Sequence, residues 1–515
     1  MSDLERPPLP PNSLIAVIGA GAMGAGIAQI VAQSGHRVLL FDTRLNGAED
    51  AQKKLATTFE QLAAKGKMTS DDAQAAAGRI VPIHALGDCV SARLVIEAIV
   101  EDLEAKRELW RDLEGVVAPE TILATNTSSL SVTAMAAGLK YPRRVAGLHF
   151  FNPPPLMPLV EIVSGLATDP EVAATLYSTA AGWGKVPVHA KSTPGFIVNR
   201  CARPFYAEAL RLLNERAADP ATIDAVMREA GGFRMGPFEL LDLIGNDVSV
   251  AVTTSVWRAY SNDPRFTPSA IQQEMVAAGY LGRKSGRGFY DYAPGTKKPI
   301  AHTEPEQPAP GRVVVYGDLG PASTLVERML AAGVPVERAK REGAFPTGVI
   351  GVGGAWLALS DGQTATVRAG ASGAHDMVLF DLALDFATCT RLAVARADTC
   401  SDAAYSAAVG ALQAAGIAVS RLDDAAGLVV LRTVAMLANE CADAAKEAIA
   451  SPRDIDAAMM KGVNYPRGPL AWADAIGVAR VRDALANLAA HYGEDRYRIS
   501  PLITRRAVSG ARLID

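Results

Sequence analysis

Short apolar runs alternate with longer helical stretches along the first part of the chain. Leu14–Ile18 is β-rich, closed by glycine, and reads as a buried strand. The composition of 25–34 favours a helix that Gly35 ends, and 37–41 is a second strand closed by Asp42. Further strands are expected at 94–96, 122–124 and 145–148, with helical stretches between them. Such alternation predicts an α/β fold, a doubly wound parallel sheet with right-handed crossovers. A polar stretch rich in Ala, Lys and Gln, from Leu45 to Arg79, reads as a helical pair inserted after the second strand. Helices dominate from Pro194-Gly195 to about Tyr292, so an all-α domain follows.

Residues 302–312, rich in proline and charge, form a linker. Strand candidates return at 313–316 and 377–380, and helices from about Gly427. The last region repeats the first helical one at a constant offset of 232 (Gly195 against Gly427). Arg200 matches Arg432, Glu208 matches Glu440, Ile223-Asp224-Ala225 matches Ile455-Asp456-Ala457, and Gly236-Pro237 matches Gly468-Pro469. A shared helical period cannot put identical polar and glycine residues in one frame, so the chain carries an internal duplication. Four segments are expected: 1–191, 192–300, a degenerate α/β segment 301–423, and a second helical copy 424–515.

Composition narrows the class. The chain has 515 residues, 49% of them hydrophobic and 21% charged, which suits a globular protein with several cores. A net charge of -4 argues against nucleic acid or a membrane surface as partner. Apolar runs fall short of the ~20 residues that span a bilayer. The N-terminus lacks the pattern of a signal peptide, so a cytoplasmic protein is expected. Five scattered cysteines without a CxxC pair suggest neither a disulfide framework nor a metal site.

The chemistry begins at Gly19-Ala20-Gly21-Ala22-Met23-Gly24, between the first strand and its helix. Gly19 permits the tight turn, Gly21 admits a pyrophosphate, Gly24 allows close helix–strand packing, and the helix N-terminus offers free N–H groups. This is the dinucleotide fingerprint of a Rossmann sheet. Asp42, 18 residues past the last glycine, would accept hydrogen bonds from the adenine ribose, favouring NAD over NADP, although Arg44 bears on that choice.

His149 ends a strand in GLHFFNP, and Glu161 lies in the next apolar segment, where an unpaired acid would be costly. Ligands bind at strand C-terminal ends in open α/β sheets. A dehydrogenase needs a base for the alcohol proton, and a buried carboxylate would fix the imidazole tautomer. Thr125–Ser129 follows another strand end. Asn199 becomes Leu431 in the second copy while the flanking glycine and arginine persist, so only the first copy is expected to meet substrate.

Together these residues, with the motifs GAGAMG, EAIVEDLEAK, TNTSSL, GLHFFNP, TPGFIVNR, MGPFELLDLIG and GRKSGRGFY, resemble the L-3-hydroxyacyl-CoA dehydrogenase family from Leu14 to about Tyr292. The resemblance implies His149 as base, Glu161 as its orienting partner, and Ser128 and Asn199 as donors to the reacting oxygen. It also implies that Asp42, Glu101, Lys106, Ser128, Asn152 and Lys284 bind or approach NAD, and that Thr58 and Lys65 meet CoA. The long duplicated layout is similar to a subgroup of bacterial phenylacetate degradation acting on 3-hydroxyadipyl-CoA; related long forms act on 3-hydroxybutyryl-CoA. The second half is read as non-catalytic, and the chain as a monomer with an internal pseudo-dimer or a homodimer. The rivals are a non-catalytic dinucleotide-binding protein and a dehydrogenase with a lysine base. The histidine–glutamate pair speaks against both.

Overall fold

The computed structural model describes residues 6–339 and 348–515; the first five residues of the N-terminal segment lie outside it. The chain divides into two compact units, residues 1–200 with 447–463, and residues 201–446 with 464–515.

The first unit is built on an eight-stranded sheet: β1 (Leu14–Ile18), β2 (Arg37–Phe41), β3 (Ile80–Ile83), β4 (Leu94–Glu97), β5 (Ile122–Thr125), β6 (Val145–Phe150), β7 (Leu159–Ser164) and β8 (Val186–Lys191). Their order is β3-β2-β1-β4-β5-β6-β7-β8. Neighbours pair in parallel except β7, which runs antiparallel to β6. The inserted helical pair is Gly47–Ala64 and Ser70–Gly78. The helix after β1 spans Ala22–Gln33, three residues earlier than its composition suggested, so Gly24 sits inside its first turn. Ile15, Val17, Ile27, Val31, Leu94 and Leu148 belong to the core between the sheet and its helices.

The second unit holds the first helical region, a second sheet and most of the second helical copy. Its strands are β9 (Val313–Tyr316), β10 (Val336–Ala339), β11 (Val349–Val352), β12 (Ala355–Leu359), β13 (Met377–Phe380), β14 (Arg391–Arg396) and β15 (Ala418–Arg421). The order is β10-β9-β11-β12-β13-β14-β15, and β11 runs antiparallel to both of its neighbours. Two helices of the unit are joined by a fully buried ion pair, Arg432 to Glu208 at 3.0 Å.

The duplication reaches further upstream than identical residues indicate. The same offset carries β7 onto β14 and helix Pro170–Gly182 onto helix Asp402–Ala414. Even unusual backbone repeats: Phe196 and Leu428 both adopt positive φ, 46° and 51°. The copies also trade one helix. Helix Pro452–Gly462 of the second copy belongs to the first unit, where the carbonyl of nearby Ile449 accepts the Lys191 N–H at 2.8 Å. Its counterpart Pro220–Glu229 packs on β14 in the second unit, where Glu229 pairs with Arg391 at 3.0 Å.

Candidate active site

Antiparallel pairing of β6 with β7 sets His149 directly opposite Glu161, and residues so paired share a sheet face. His149 is 5% exposed and Glu161 fully buried. Nδ1 of His149 lies 2.6 Å from Oε2 of Glu161. A carboxylate only accepts, so Nδ1 donates the hydrogen bond, and in the neutral ring the lone pair is on Nε2. The other oxygen, Oε1, accepts the backbone N–H groups of Ile197 and Val198 at 3.0 and 3.1 Å. Glu161 thereby ties the histidine to the start of helix Val198–Cys201, which carries Asn199. The rings of Phe151 and Phe196 lie 4.6 and 5.8 Å from the imidazole.

The β5 end supplies the second wall. Asn199 Nδ2 donates to the Ser128 carbonyl at 3.3 Å, bringing the two expected oxygen donors together. Glu101 holds this loop: its Oε1 accepts from Thr127 Oγ1 at 2.5 Å, from the Ser128 and Ser129 N–H groups, and from Ser129 Oγ. Burial pushes the Glu101 carboxyl up, but the Thr127 hydroxyl, the Lys106 charge and the Ser129 contacts outweigh it and hold it below its usual range. Lys106 is buried, 2.5 Å from Glu97 Oε1 and 3.3 Å from Glu101 Oε2. Glu97 is a residue that the sequence reading missed. It too is an acid in an apolar run, and such an acid needs a buried partner.

At the fingerprint, Gly19 has φ +104°, and a Cβ there would stand 2.5 Å from the Ala98 carbonyl oxygen. A Cβ on Gly24 would stand 1.7 Å from the Gly19 carbonyl oxygen, whereas one on Gly21 would meet nothing within 4 Å. The turn is therefore closed on its protein side and open where a pyrophosphate approaches. Ala22 and Met23 open the helix beside it. A cavity of about 620 Å³ continues from this turn between Ile18, Asp42, Arg44, Val100 and Leu109, room for a nucleoside. Asp42 accepts the Ala20 N–H at 2.7 Å and is clasped by Arg44 through Nε and Nη2 at 2.8 and 2.9 Å. That guanidinium, chiefly by its hydrogen bond, holds the Asp42 carboxyl down to about 2.

The remaining expected contacts are Asn152, Thr58, Lys65 and Lys284. Asn152 is exposed just past β6. Thr58 donates to the Lys54 carbonyl within helix Gly47–Ala64, and Lys65 is the exposed cap of that helix. Lys284 belongs to the second unit and pairs with Asp247 at 2.6 Å. Among the described residues no cluster could hold a metal ion, and no helix is long and apolar enough to cross a membrane.

Residues 14–193 match the 3-hydroxyacyl-CoA dehydrogenase NAD-binding domain, and 195–292 and 427–512 both match the C-terminal domain of that family. The chain belongs to the 3-hydroxyacyl-CoA dehydrogenase family. It is an NAD-dependent oxidoreductase. Residues 357–425 of the dehydrogenase match a "3-hydroxybutyryl-CoA dehydrogenase reduced Rossmann-fold domain". It is 42% identical over 494 residues to the 3-hydroxyadipyl-CoA dehydrogenase of Escherichia coli K12, covering 96% of this chain and 97% of that one. A crystal structure titled 3-hydroxybutyryl-CoA dehydrogenase, from E. coli K12, is 41% identical with a TM-score of 0.88 over 97% and 99% of the chains. The mitochondrial hydroxyacyl-coenzyme A dehydrogenase of Sus scrofa is 40% identical over 286 residues, 54% of this chain and 90% of that one.

Proposed function

We propose that the dehydrogenase oxidises (S)-3-hydroxyadipyl-CoA to the 3-oxo thioester at His149. The observation that carries this reading is the His149–Glu161 pair, with Nδ1 committed to the carboxylate and Nε2 free to take a proton. Nε2 removes the 3-hydroxyl proton, and Glu161 stabilises the imidazolium that forms. The Asn199 amide and the Ser128 hydroxyl donate to the oxygen as it becomes a carbonyl. Gly19, Gly21, Ala22, Met23 and Gly24 hold the pyrophosphate, and Asp42 the adenine ribose. Bound NAD supplies the acceptor for the hydrogen and electron pair that leave C3. Glu101, backed by Lys106 and Glu97, keeps residues 127–129 in place. Asn152 and Lys284 approach the dinucleotide, and Thr58 and Lys65 meet CoA.

The adipyl assignment draws on the E. coli relative that is similar along the whole chain, and that bacterial relative supports a cytoplasmic setting. The structure titled for a hydroxybutyryl substrate favours the second reading, 3-hydroxybutyryl-CoA. Steady-state kcat/KM for the two thioesters, followed by NADH absorbance, separates them. The adipyl substrate is expected to be about 100-fold better, as when a buried charged contact is gained. Equal rates or the reverse preference overturn the substrate and leave the reaction standing.

The exchanged helices support an internal pseudo-dimer, in which the second copy serves as the partner subunit and 192–300 and 424–515 are its paired helical segments. Sedimentation as one 54.0 kDa chain is the expected outcome; a stable dimer overturns it.

A further inference from the structure

The carboxylate of Asp42 is fully engaged by its own protein. Oδ1 accepts the Arg44 backbone N–H at 2.9 Å and Arg44 Nε at 2.8 Å. Oδ2 accepts the Ala20 N–H at 2.7 Å and Arg44 Nη2 at 2.9 Å. Two carboxylate oxygens offer about four lone-pair sites, so these donors fill them. The Asp42 side chain is 8% exposed, whereas that of Arg44 is 65% exposed. A guanidinium forks several N–H donors. The clasp uses those on Nε and Nη2, and Nη1 has no partner among the described residues.

This clasp stands where the two nicotinamide dinucleotides differ. NAD presents a ribose 2′-hydroxyl there, which needs a free carboxylate lone pair, and NADP presents a 2′-phosphate, which a bare carboxylate repels. An ion pair with an exposed arginine opens at small cost, so ribose hydroxyls can take the positions of Nε and Nη2 on Asp42. Closed, the same pair cancels the aspartate charge and leaves Nη1 for a phosphate oxygen. The cavity at this turn is lined by the carboxylates of Asp42, Glu108 and Asp112, and among the described residues by one cation, Arg44. Charge therefore favours NAD, and such affinity as the cavity has for a phosphate comes from Arg44. All of these residues lie in the first unit.

We propose that Arg44 is a specificity-determining residue that admits NADP to the dehydrogenase as a second, weaker cofactor. It leaves Asp42 for the ribose hydroxyls of NAD and stays on Asp42 for the 2′-phosphate of NADP. The proposal rests on the reading that Asp42 holds the adenine ribose. The chemistry at the far end of the dinucleotide is the same for both. The 3-hydroxyl proton passes to His149 and hydride passes from C3 to the nicotinamide, so NADPH replaces NADH as the reduced product.

The test titrates NADH and NADPH against the full chain as wild type, Arg44→Ala and Arg44→Lys, following the fluorescence of the reduced nicotinamide. Steady-state kcat/KM with NAD and with NADP accompanies it. Wild type is expected to bind both, NADPH the more weakly. Arg44→Ala raises the NADPH Kd about 10-fold, the lower end for a hydrogen bond to a charged group, since the guanidinium is exposed. Its NADH Kd falls, because the ribose no longer has to displace a side chain. Arg44→Lys keeps part of the NADPH affinity, as a point charge without the fork. The kcat/KM ratio of the two cofactors follows the Kd ratio. A wild type that binds NADH but not NADPH overturns the proposal. Equal weakening of both by Arg44→Ala also overturns it, and marks Arg44 as a support for Asp42 alone. The underlying reading fails on a different result, an NADH affinity that Asp42→Asn leaves unchanged. Selective loss of NADPH in Arg44→Ala then still upholds Arg44 as the phosphate contact.

Discussion

The two sheets place different side chains at one topological position. In the first, His149 on β6 stands opposite Glu161 on β7. In the second, the offset of 232 puts Asp381 in the histidine's place and Ala393 in the glutamate's. Asp381 continues β13 and donates its N–H to the Ala393 carbonyl. Its carboxylate accepts the N–H groups of Val429, Val430 and Leu431 at 2.9, 2.7 and 3.0 Å. Val429 and Val430 correspond to Ile197 and Val198, whose N–H groups Glu161 accepts. A shorter carboxylate one strand away has taken over the capping half of Glu161's work, and the imidazole has gone. The turn into this helix therefore calls for a carboxylate in either copy, and only the chemistry calls for a histidine. The nucleotide turns differ in the same sense. A Cβ on Gly21 would meet open space, whereas one on Gly320, in the corresponding turn after β9, would stand 2.5 Å from Arg480 Nη2. The second turn also lacks a glycine two places after its first, where Leu319 stands.

The strongest way to break this comparison is to turn the first site into the second. His149→Gln is expected to lower kcat by about 10³ to 10⁴ with NAD binding retained, the scale of a lost general base. The double variant His149→Asp with Glu161→Ala should be as inactive yet melt cooperatively, because the new carboxylate can cap Ile197 and Val198 as Asp381 caps its own helix. Turnover within tenfold of wild type after His149→Gln would remove the histidine from the mechanism. A double variant that fails to fold would show that the capping role does not transfer.

Much of this is legible in the sequence alone. The fingerprint, the histidine, the buried acid at 161 and the helical repeat stand in the sequence as residue types that cost too much to be accidental. The antiparallel turn of β7 is not, because a strand pattern carries alternation but no direction. Nor is the upstream reach of the duplication. Between Leu159 and Lys191 only Gly184 and Gly416 are identical at the offset, and exchanges such as Leu159 for Arg391, Glu161 for Ala393 and Lys185 for Ile417 change charge as well as size. Glu97 and Lys106 stood inside a recognised motif, but their pairing needs β4 and the following helix packed together.

A smaller effect sharpens the comparison through pH. Burial pushes the Asp381 carboxyl up to about 6, against the pull of the N–H groups of Leu431, Val430 and Val429. An aspartate in the unfolded chain titrates near 3.9. Between those values the folded chain binds the proton more tightly than the unfolded chain, so this group's contribution to stability falls as pH rises from about 4 to 6. The shift of about two units corresponds to about 3 kcal/mol across the window. Asp381→Asn cannot titrate, so its stability relative to wild type should improve by about that amount as pH rises from 4 to 6.5, while kcat at neutral pH stays unchanged. Denaturant melts of both chains at half-unit steps of pH measure the difference. A pH-independent difference would mean that Asp381 stays ionised throughout as a plain cap, as short and direct a replacement for Glu161 as its hydrogen bonds suggest. A loss of turnover in Asp381→Asn would instead connect the second copy to the chemistry of the first.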